Sequence, residues 1–389
     1  MLVRRIQLTN FRNHADSTFD FADSVNFVVG VNAQGKTSVL EALSYVCITK
    51  SFLQQADATV AKIGSESFAV DATVESDRNL VNHVRVTFEP KVGRSYFLNG
   101  SELKRSSDVI GRFPIVVLSP KDFALTGGAP AERRVFVDMA LSQVSHSYLD
   151  ELMEYRRALK QRNKVLLDGK MKGTLDSDLL SAWTDALVSH GTRVMRKRKE
   201  FVEEFRLAFS TAYSSLIEHG EKPDLVYEPS FALAGRETES PELFYAALER
   251  LDKVERARGA TLAGPHRDDV RFILNDMPIR EFASQGQHKT FLVALKIAEF
   301  HYIKSKLNET PAMLLDDVMT ELDFGRATKT VQAISTLGQA FITATDMVDF
   351  DEKLLDLKEA KLHQVREGSV LYEHVYQSPA SDGGMPHPQ

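Results

Sequence analysis

The chain has 389 residues, a net charge of −6 at pH 7, 43% apolar and 26% charged residues, and one cysteine. That length holds two domains or one domain with an insertion, the acidic balance excludes a protein that is basic all over, and the lone Cys47 excludes a disulfide framework. The N-terminus carries no apolar signal core and no apolar run approaches about 18 residues, so a cytoplasmic protein with no membrane partner is expected.

Residues 1 to about 120 read as strand-rich. VRRIQLTNF, STFDF, VNFVV, HVRVTFE, RSYFLNG and FPIVVL are short apolar or alternating runs, and Asn99-Gly100 is a hairpin signal. From 131 to 167 and from 176 to 219 the apolar spacing turns helical, interrupted by DGKMKGTLDSD, which predicts a helical hairpin inserted into the sheet domain. Between Arg156 and Lys199 stand twelve basic residues against four acidic ones. Arg193, Arg196, Lys197, Arg198 and Lys199 are the candidate contacts to nucleic-acid phosphate, with a solvated charged face as the alternative. Farther on, DLVYEPSFAL and DDVRFILND predict strands, PELFYAALERLDKVERA a helix, and EFASQGQHKTFLVALKIAEFHYIKSKL a loop leading into a long helix. AMLLDDV and FITAT predict buried strands, and 378–389 a disordered tail. The division expected is an ATPase lobe at 1–125 and 301–377 with a helical lobe at 126–300.

The chain is organised around Val25 to Cys47. Gly30, Val31, Asn32, Ala33, Gln34, Gly35, Lys36 and Thr37 spell G-x-x-x-x-G-K-T, followed by Ser38, between an apolar strand and a helix. That context makes the pattern a phosphate-binding P-loop: first-turn amides lack partners inside the helix, and the helix dipole is positive there. Lys36 can reach the β and γ phosphates of ATP, and the Thr37 hydroxyl can ligate Mg²⁺. Ala33 stands where many P-loops carry a further glycine.

Two further constellations extend this reading. Asp316, at the end of MLLDDV, suits a carboxylate that holds Mg²⁺, and Asp317 one that orients or deprotonates the attacking water. Ser284-Gln285-Gly286-Gln287, before the FLVALKIAEF helix, offers a second phosphate-binding helix start, although an N-cap alone would explain it.

FRN at 11–13, GVNAQGKT at 30–37, GPHRDD at 264–269, EFASQGQ at 281–287 and LLDDVMTELD at 314–323 together resemble the RecF family of bacterial recombination mediators. The resemblance spans nearly the whole chain. It implies an α/β fold, an ABC-type P-loop ATPase head of mixed sheets and helices with an inserted α-helical lobe. It also implies ATP-dependent homodimerisation, weak DNA-stimulated ATPase activity, binding to duplex DNA near single-strand gaps, and RecR and RecO as partners in loading RecA.

Carried onto this sequence, the resemblance makes Lys36, Asp317 and Ser284 the catalytic groups. It puts Thr37 and Asp316 on the metal and offers Ser284 and Gly286 to the partner copy's nucleotide. Arg12 is expected near the base or ribose, or else is a plain surface arginine at a strand end. Lys289 stands where the family usually has arginine, Thr345 stands where ABC transporters have a switch histidine, and GPHRDD has no assigned role.

The inserted helices are too short for an SMC arm, at about 65 Å for 45 residues. A GTPase would show N-K-x-D, but Asn163-Lys164 continues as Val165-Leu166. The remaining alternatives are an ATP-gated DNA-binding scaffold in which hydrolysis is incidental, or another SMC-head-like ATPase.

Overall fold

The computed structural model describes residues 1–53, 55–217, 220–231, 240–317, 332–345 and 359–377. The chain divides into two units, one formed by residues 1–120 with 308–389 and the other by residues 121–307. The expected boundaries at 125 and 300 fall inside helices, a few residues from the division at 120/121 and 307/308.

The first unit opens with β1 (Leu2–Phe11), β2 (His14–Asp20) and β3 (Val25–Val29), followed by helix α1 (Lys36–Ile48). Then come β4 (Phe68–Glu75), β5 (Val81–Glu89), β6 (Gly93–Leu98), β7 (Ser101–Glu102) and β8 (Ile115–Leu118). An antiparallel sheet runs in the order β2-β1-β4-β5-β6-β7. Strand β4, FAVDATVE, alternates buried and half-buried positions perfectly, yet Asp71 and two alanines hid it in the sequence.

The second unit contributes α2 (Phe123–Gly127), α3 (Pro130–Val144), α4 (His146–Lys172) and α5 (Ser177–Leu216). After β9 (Pro223–Glu228) come α6 (Pro241–Arg258), β10 (Asp269–Leu274), β11 (Met277–Pro278), α7 (Ile279–Phe282) and α8 (Gln285–Leu307). The single helix expected over 131–167 is two. Ser145 leaves the helical conformation and caps α4, its hydroxyl accepting from Tyr148 N. Helix α4 then continues through Gly169 to a left-handed Gly173, and Asp176 caps α5. On α5, Phe201, Phe205, Phe209 and Tyr213 follow at intervals of four and bury one face against Phe136, Phe291 and Tyr302. Each such burial contributes roughly 2–3 kcal/mol.

The first unit resumes with β12 (Ala312–Leu315), β13 (Ala340–Ala344), β14 (Glu359–Arg366) and β15 (Ser369–Gln377). They join β3 and β8 in the order β15-β14-β3-β13-β12-β8, parallel except for the β14–β15 hairpin. Sequence reading had found neither strand of that hairpin. Helix α1 is buried on nearly every side, with Val39, Leu40, Leu43, Tyr45, Val46 and Cys47 each at most 1% exposed. A helix enclosed all round needs no polar stripe, and it fixes the P-loop end of the helix rigidly.

Candidate nucleotide-binding site

Strands β3, β13 and β12 are parallel, with Phe27, Ile342 and Leu315 in register. Their carboxyl ends therefore share one edge of the sheet, the edge at which parallel sheets place ligands. From that edge β3 releases the P-loop and β12 releases Asp316 and Asp317.

Gly35 caps α1 with φ of 108°, and a Cβ there would lie 2.6 Å from both Asn13 Oδ1 and His14 Nε2. Only glycine fits the turn. Ala33 is also left-handed, at φ 65°, so the departure noted in the sequence stores strain in the loop. Lys36 is 7% exposed, and its ammonium donates to Gly30 O at 2.6 Å and Val31 O at 3.1 Å. Burial pulls its pKa down, opposed by the charges of Asp317 and Asp316.

Across the sheet edge, Thr37 Oγ1 donates to Asp316 Oδ1 at 2.7 Å. Thr343, on the intervening β13, donates to the same oxygen at 3.0 Å and accepts from Asp317 N at 2.8 Å. Burial raises the Asp316 pKa, while the bonds from Thr37 and Thr343 hold it back. Thr343 is fully buried and was missed by sequence reading, since only sheet pairing brings it here. Thr345 ends beyond this strand.

A cavity of about 520 Å³ opens over the loop, lined among others by Asn32, Ala33, Gly35, Lys36, Thr37, Ser38 and Asp317. Arg12, Asn13, Thr59, Lys62 and Ile63 line it as well. Arg12 is no plain surface arginine. Its guanidinium grips the buried Glu41 carboxylate in two bonds of 2.7 and 2.6 Å, a pairing that raises its pKa, and also donates to Thr59 O at 2.9 Å. Lys62 is held by Asn13 O at 2.8 Å.

The residues present suit a magnesium nucleotide. A lysine folded onto its own loop carbonyls can exchange them for phosphate oxygens, and a Thr hydroxyl beside a carboxylate is an all-oxygen pair. Thr37 and Asp316 are the residues that would hold Mg²⁺, and among the described residues there is no larger acidic or histidine cluster suited to a metal.

In the second unit Ser284 caps α8: its hydroxyl accepts from Gln287 N at 3.2 Å, while the Gln287 side chain accepts from Ser284 N at 2.8 Å. That is a capping box, with Ser284 exposed and Gly286 in the first turn. Residues 318–323 of the LLDDVMTELD stretch lie outside the described residues.

GPHRDD acquires a role. Asp269 pairs with Arg133 through two bonds of 2.8 Å, and Asp268 accepts from Ser230 N at 2.7 Å and from the Tyr227 hydroxyl. His266 Nδ1 meets the Tyr155 hydroxyl at 2.6 Å. The stretch staples the strands and helices of this unit together.

The basic candidates on α5 separate. Arg198 is 3% exposed, paired with Asp138 at 2.8 Å and donating to Pro265 O at 2.6 Å, so it is a core residue and not a DNA contact. It continues the buried face of Val194, Met195, Phe201 and Val202, which the run of charges concealed. Arg196 is exposed, while half-exposed Arg193 and Lys197 pair with Glu151 and Glu200 and Lys199 is partly exposed.

Comparison with known proteins agrees with this architecture. The family model for the RecF/RecN/SMC N terminal domain matches residues 2–363. The chain is 40% identical over 357 residues to the DNA replication and repair protein RecF of Chloroherpeton thalassium, covering 90% of this chain and 97% of that one. It is 39% identical over 359 residues to the RecF protein of Salinibacter ruber, covering 91% and 87%. A solved structure of the recombination mediator protein RecF-ATP, of the RecFOR pathway, superposes with a TM-score of 0.85 at 27% identity, covering 95% of this chain and 96% of that one. An SMC head bound to the C-winged helix domain of ScpA shares the fold, with a TM-score of 0.54 at 14% identity over 97% of this chain and 98% of that one. With nine-tenths or more of its length matched by such relatives, the chain belongs to the RecF family.

Proposed function

We propose that the protein is an ATP-hydrolysing, DNA-binding recombination mediator that dimerises on ATP. The observation that carries this is the meeting of Lys36, Thr37, Asp316 and Asp317 at one sheet edge, with Thr37 and Asp316 in direct contact across the fold. A relative solved as RecF-ATP supports ATP as the ligand.

In this reading the P-loop amides and Lys36 bind the β and γ phosphates, and Thr37 and Asp316 hold Mg²⁺, which would neutralise phosphate charge when bound. Asp317 positions the attacking water. Ser284 and Gly286 of one copy face the nucleotide of the other. Weak hydrolysis stimulated by duplex DNA near gaps, cooperation with RecR and RecO in loading RecA, and a cytoplasmic setting complete the proposal. For DNA, exposed Arg196 with Arg193, Lys197 and Lys199 on α5 is joined by exposed Lys160 and Lys164 on α4. Side chains of this kind read phosphate rather than sequence, each contact adding roughly 0.9 to the slope of log K against log salt.

Mixing two inactive variants tests the composite site. A Lys36→Met subunit keeps a sound α8 start, and a Ser284→Arg subunit keeps a sound P-loop. Random pairing makes half the dimers mixed, each with one intact site, so about a quarter of native sites should return. Hydrolysis is expected to reappear on mixing, with ATP-dependent dimerisation followed by sedimentation. Mixed dimers that form and stay inactive would exclude independent composite sites, and full activity of Ser284→Arg alone would remove Ser284 from the mechanism.

A further inference from the structure

The P-loop is held from behind by a part of the chain that sequence reading did not find. The turn between β14 and β15, Glu367-Gly368, is left-handed at both residues, with φ of 51° and 72°. Its two amides point at a single P-loop residue: Glu367 N donates to Gln34 Oε1 at 2.5 Å, and Gly368 N donates to Gln34 O at 3.0 Å. From the opposite side, Ser17 Oγ on β2 donates to Gly368 O at 2.6 Å. Ser17 also meets His14 Nδ1 at 3.0 Å, and His14 Nε2 lies 3.1 Å from Gly35 O. The contact is too close for side chains: a Cβ on Gly368 would lie 2.2 Å from Asn13 O, and one on Gly30 would lie 2.3 Å from Val365 O.

We propose that Gln34 and Ser17 are positioning residues for nucleotide binding, clipping the β14–β15 turn to the back of the P-loop so that its amides stay in the shape that receives phosphate. Gln34 is absent from the cavity lining although residues before and after it are present. Its side chain is thus turned from the ligand space toward the turn, which separates it from the groups that touch phosphate. A loop of converging N–H dipoles with a strained Ala33 relaxes unless something outside it fixes its backbone. An external clip therefore lowers the ordering cost of binding. The joint grips the loop itself rather than β3 or α1, so its effect falls on affinity before it falls on global stability.

The inference rests on the nucleotide reading of the P-loop, and ADP binding by the full-length protein, measured by calorimetry, separates the two. Lys36→Met is the control: unchanged ADP affinity there sinks the nucleotide reading itself. With that control weakened, Gln34→Leu, Ser17→Ala and Gly368→Ala should each weaken ADP binding about tenfold, the worth of one lost hydrogen bond. KM for ATP should rise with kcat at saturation retained. Amide exchange at residues 35–37 of the ligand-free protein should quicken in all three, and in Gln34→Leu the melting temperature should change little. Because Gln34→Leu and Gly368→Ala break the same joint, the double variant should be no weaker than the worse single one. Half-exposed Gln34 makes Gln34→Leu the variant least exposed to folding defects. Native ADP affinity in folded Gln34→Leu, or a double variant whose loss equals the product of the single losses, overturns the proposal.

Discussion

Thr37 and Asp316, 279 residues apart in the chain, are joined by a 2.7 Å hydrogen bond, and Thr343 bonds to the same carboxylate oxygen. Thr343 orients Asp316 and also holds the Asp317 amide, so it supports both acids without reaching the cavity. Thr343→Val should lower kcat by about 10–100-fold. Nucleotide affinity without Mg²⁺ should stay within about threefold, since the Lys36 and amide contacts remain. Binding measured in EDTA and turnover measured in Mg²⁺ separate these effects, and an unchanged kcat would make Thr343 a packing residue only.

Asp317→Asn keeps the shape of the site and removes a charge near Lys36. ATP should remain bound and the dimer should persist, while hydrolysis falls by two orders of magnitude or more, on the order expected for a water-positioning group. Retained DNA binding and repair by this variant would favour the scaffold reading. Loss of ATP binding would assign Asp317 another role.

Ala33 occupies the left-handed region at φ 65°, where a Cβ costs about 1–2 kcal/mol. Glycine removes that strain but gains freedom in the unfolded chain, so Ala33→Gly should stabilise by about 0.5–1 kcal/mol net. Urea unfolding measures the shift, and destabilisation would mean that the strain is relieved elsewhere.

Arg198 and Arg196 are two residues apart and should behave oppositely. Arg198→Ala leaves Asp138 with less compensation in the core and should cost about 3–5 kcal/mol. Arg196→Ala should leave stability within about 0.5 kcal/mol while lowering the salt slope of DNA binding by roughly 0.9. Equal slopes for native and Arg196→Ala protein would return this face to plain solvation.

Two histidines predict an acid instability. Neutral His266 donates through Nε2 to Thr261 O and accepts the Tyr155 hydroxyl proton at Nδ1. His363 gives its Nδ1 proton to Glu373 and buries Nε2 without a partner. Burial pushes each down to about 4. Since an unfolded histidine titrates near 6.5, stability is fully present above about pH 6.5 and is lost as pH falls toward 4, by up to roughly 3 kcal/mol per residue. Urea midpoints between pH 7 and 4.5 should fall less steeply in His266→Gln and His363→Phe. Parallel pH profiles would assign the titration to other groups.

What the sequence disclosed was local. The P-loop was legible because strand, glycines, lysine and helix are consecutive, and LLDD because an apolar run ends in acids. Thr343 and the Glu367-Gly368 turn were not, since β-pairing across the chain brings them to the site. Arg198 was hidden differently: its spacing from Val194 and Val202 marked it as inward, but the neighbouring charges dominated. GPHRDD stood out as a motif, yet its partners Tyr155, Tyr227 and Arg133 lie far along the chain.

The position of β3 between β13 and β14 also sets an order of events during synthesis. The P-loop strand, at 25–29, emerges long before the neighbours that flank it, which arrive only at 340–344 and 359–366. At about 5–20 residues per second, β3 waits roughly 15–60 s for β13, with its apolar face unpaired. The inserted unit, contiguous from 121 to 307, closes its contacts sooner. The nascent chain therefore carries a nucleotide loop that cannot assemble until β13 and β14 have been made, and chaperone demand should concentrate on β3 and the strands made just before and after it.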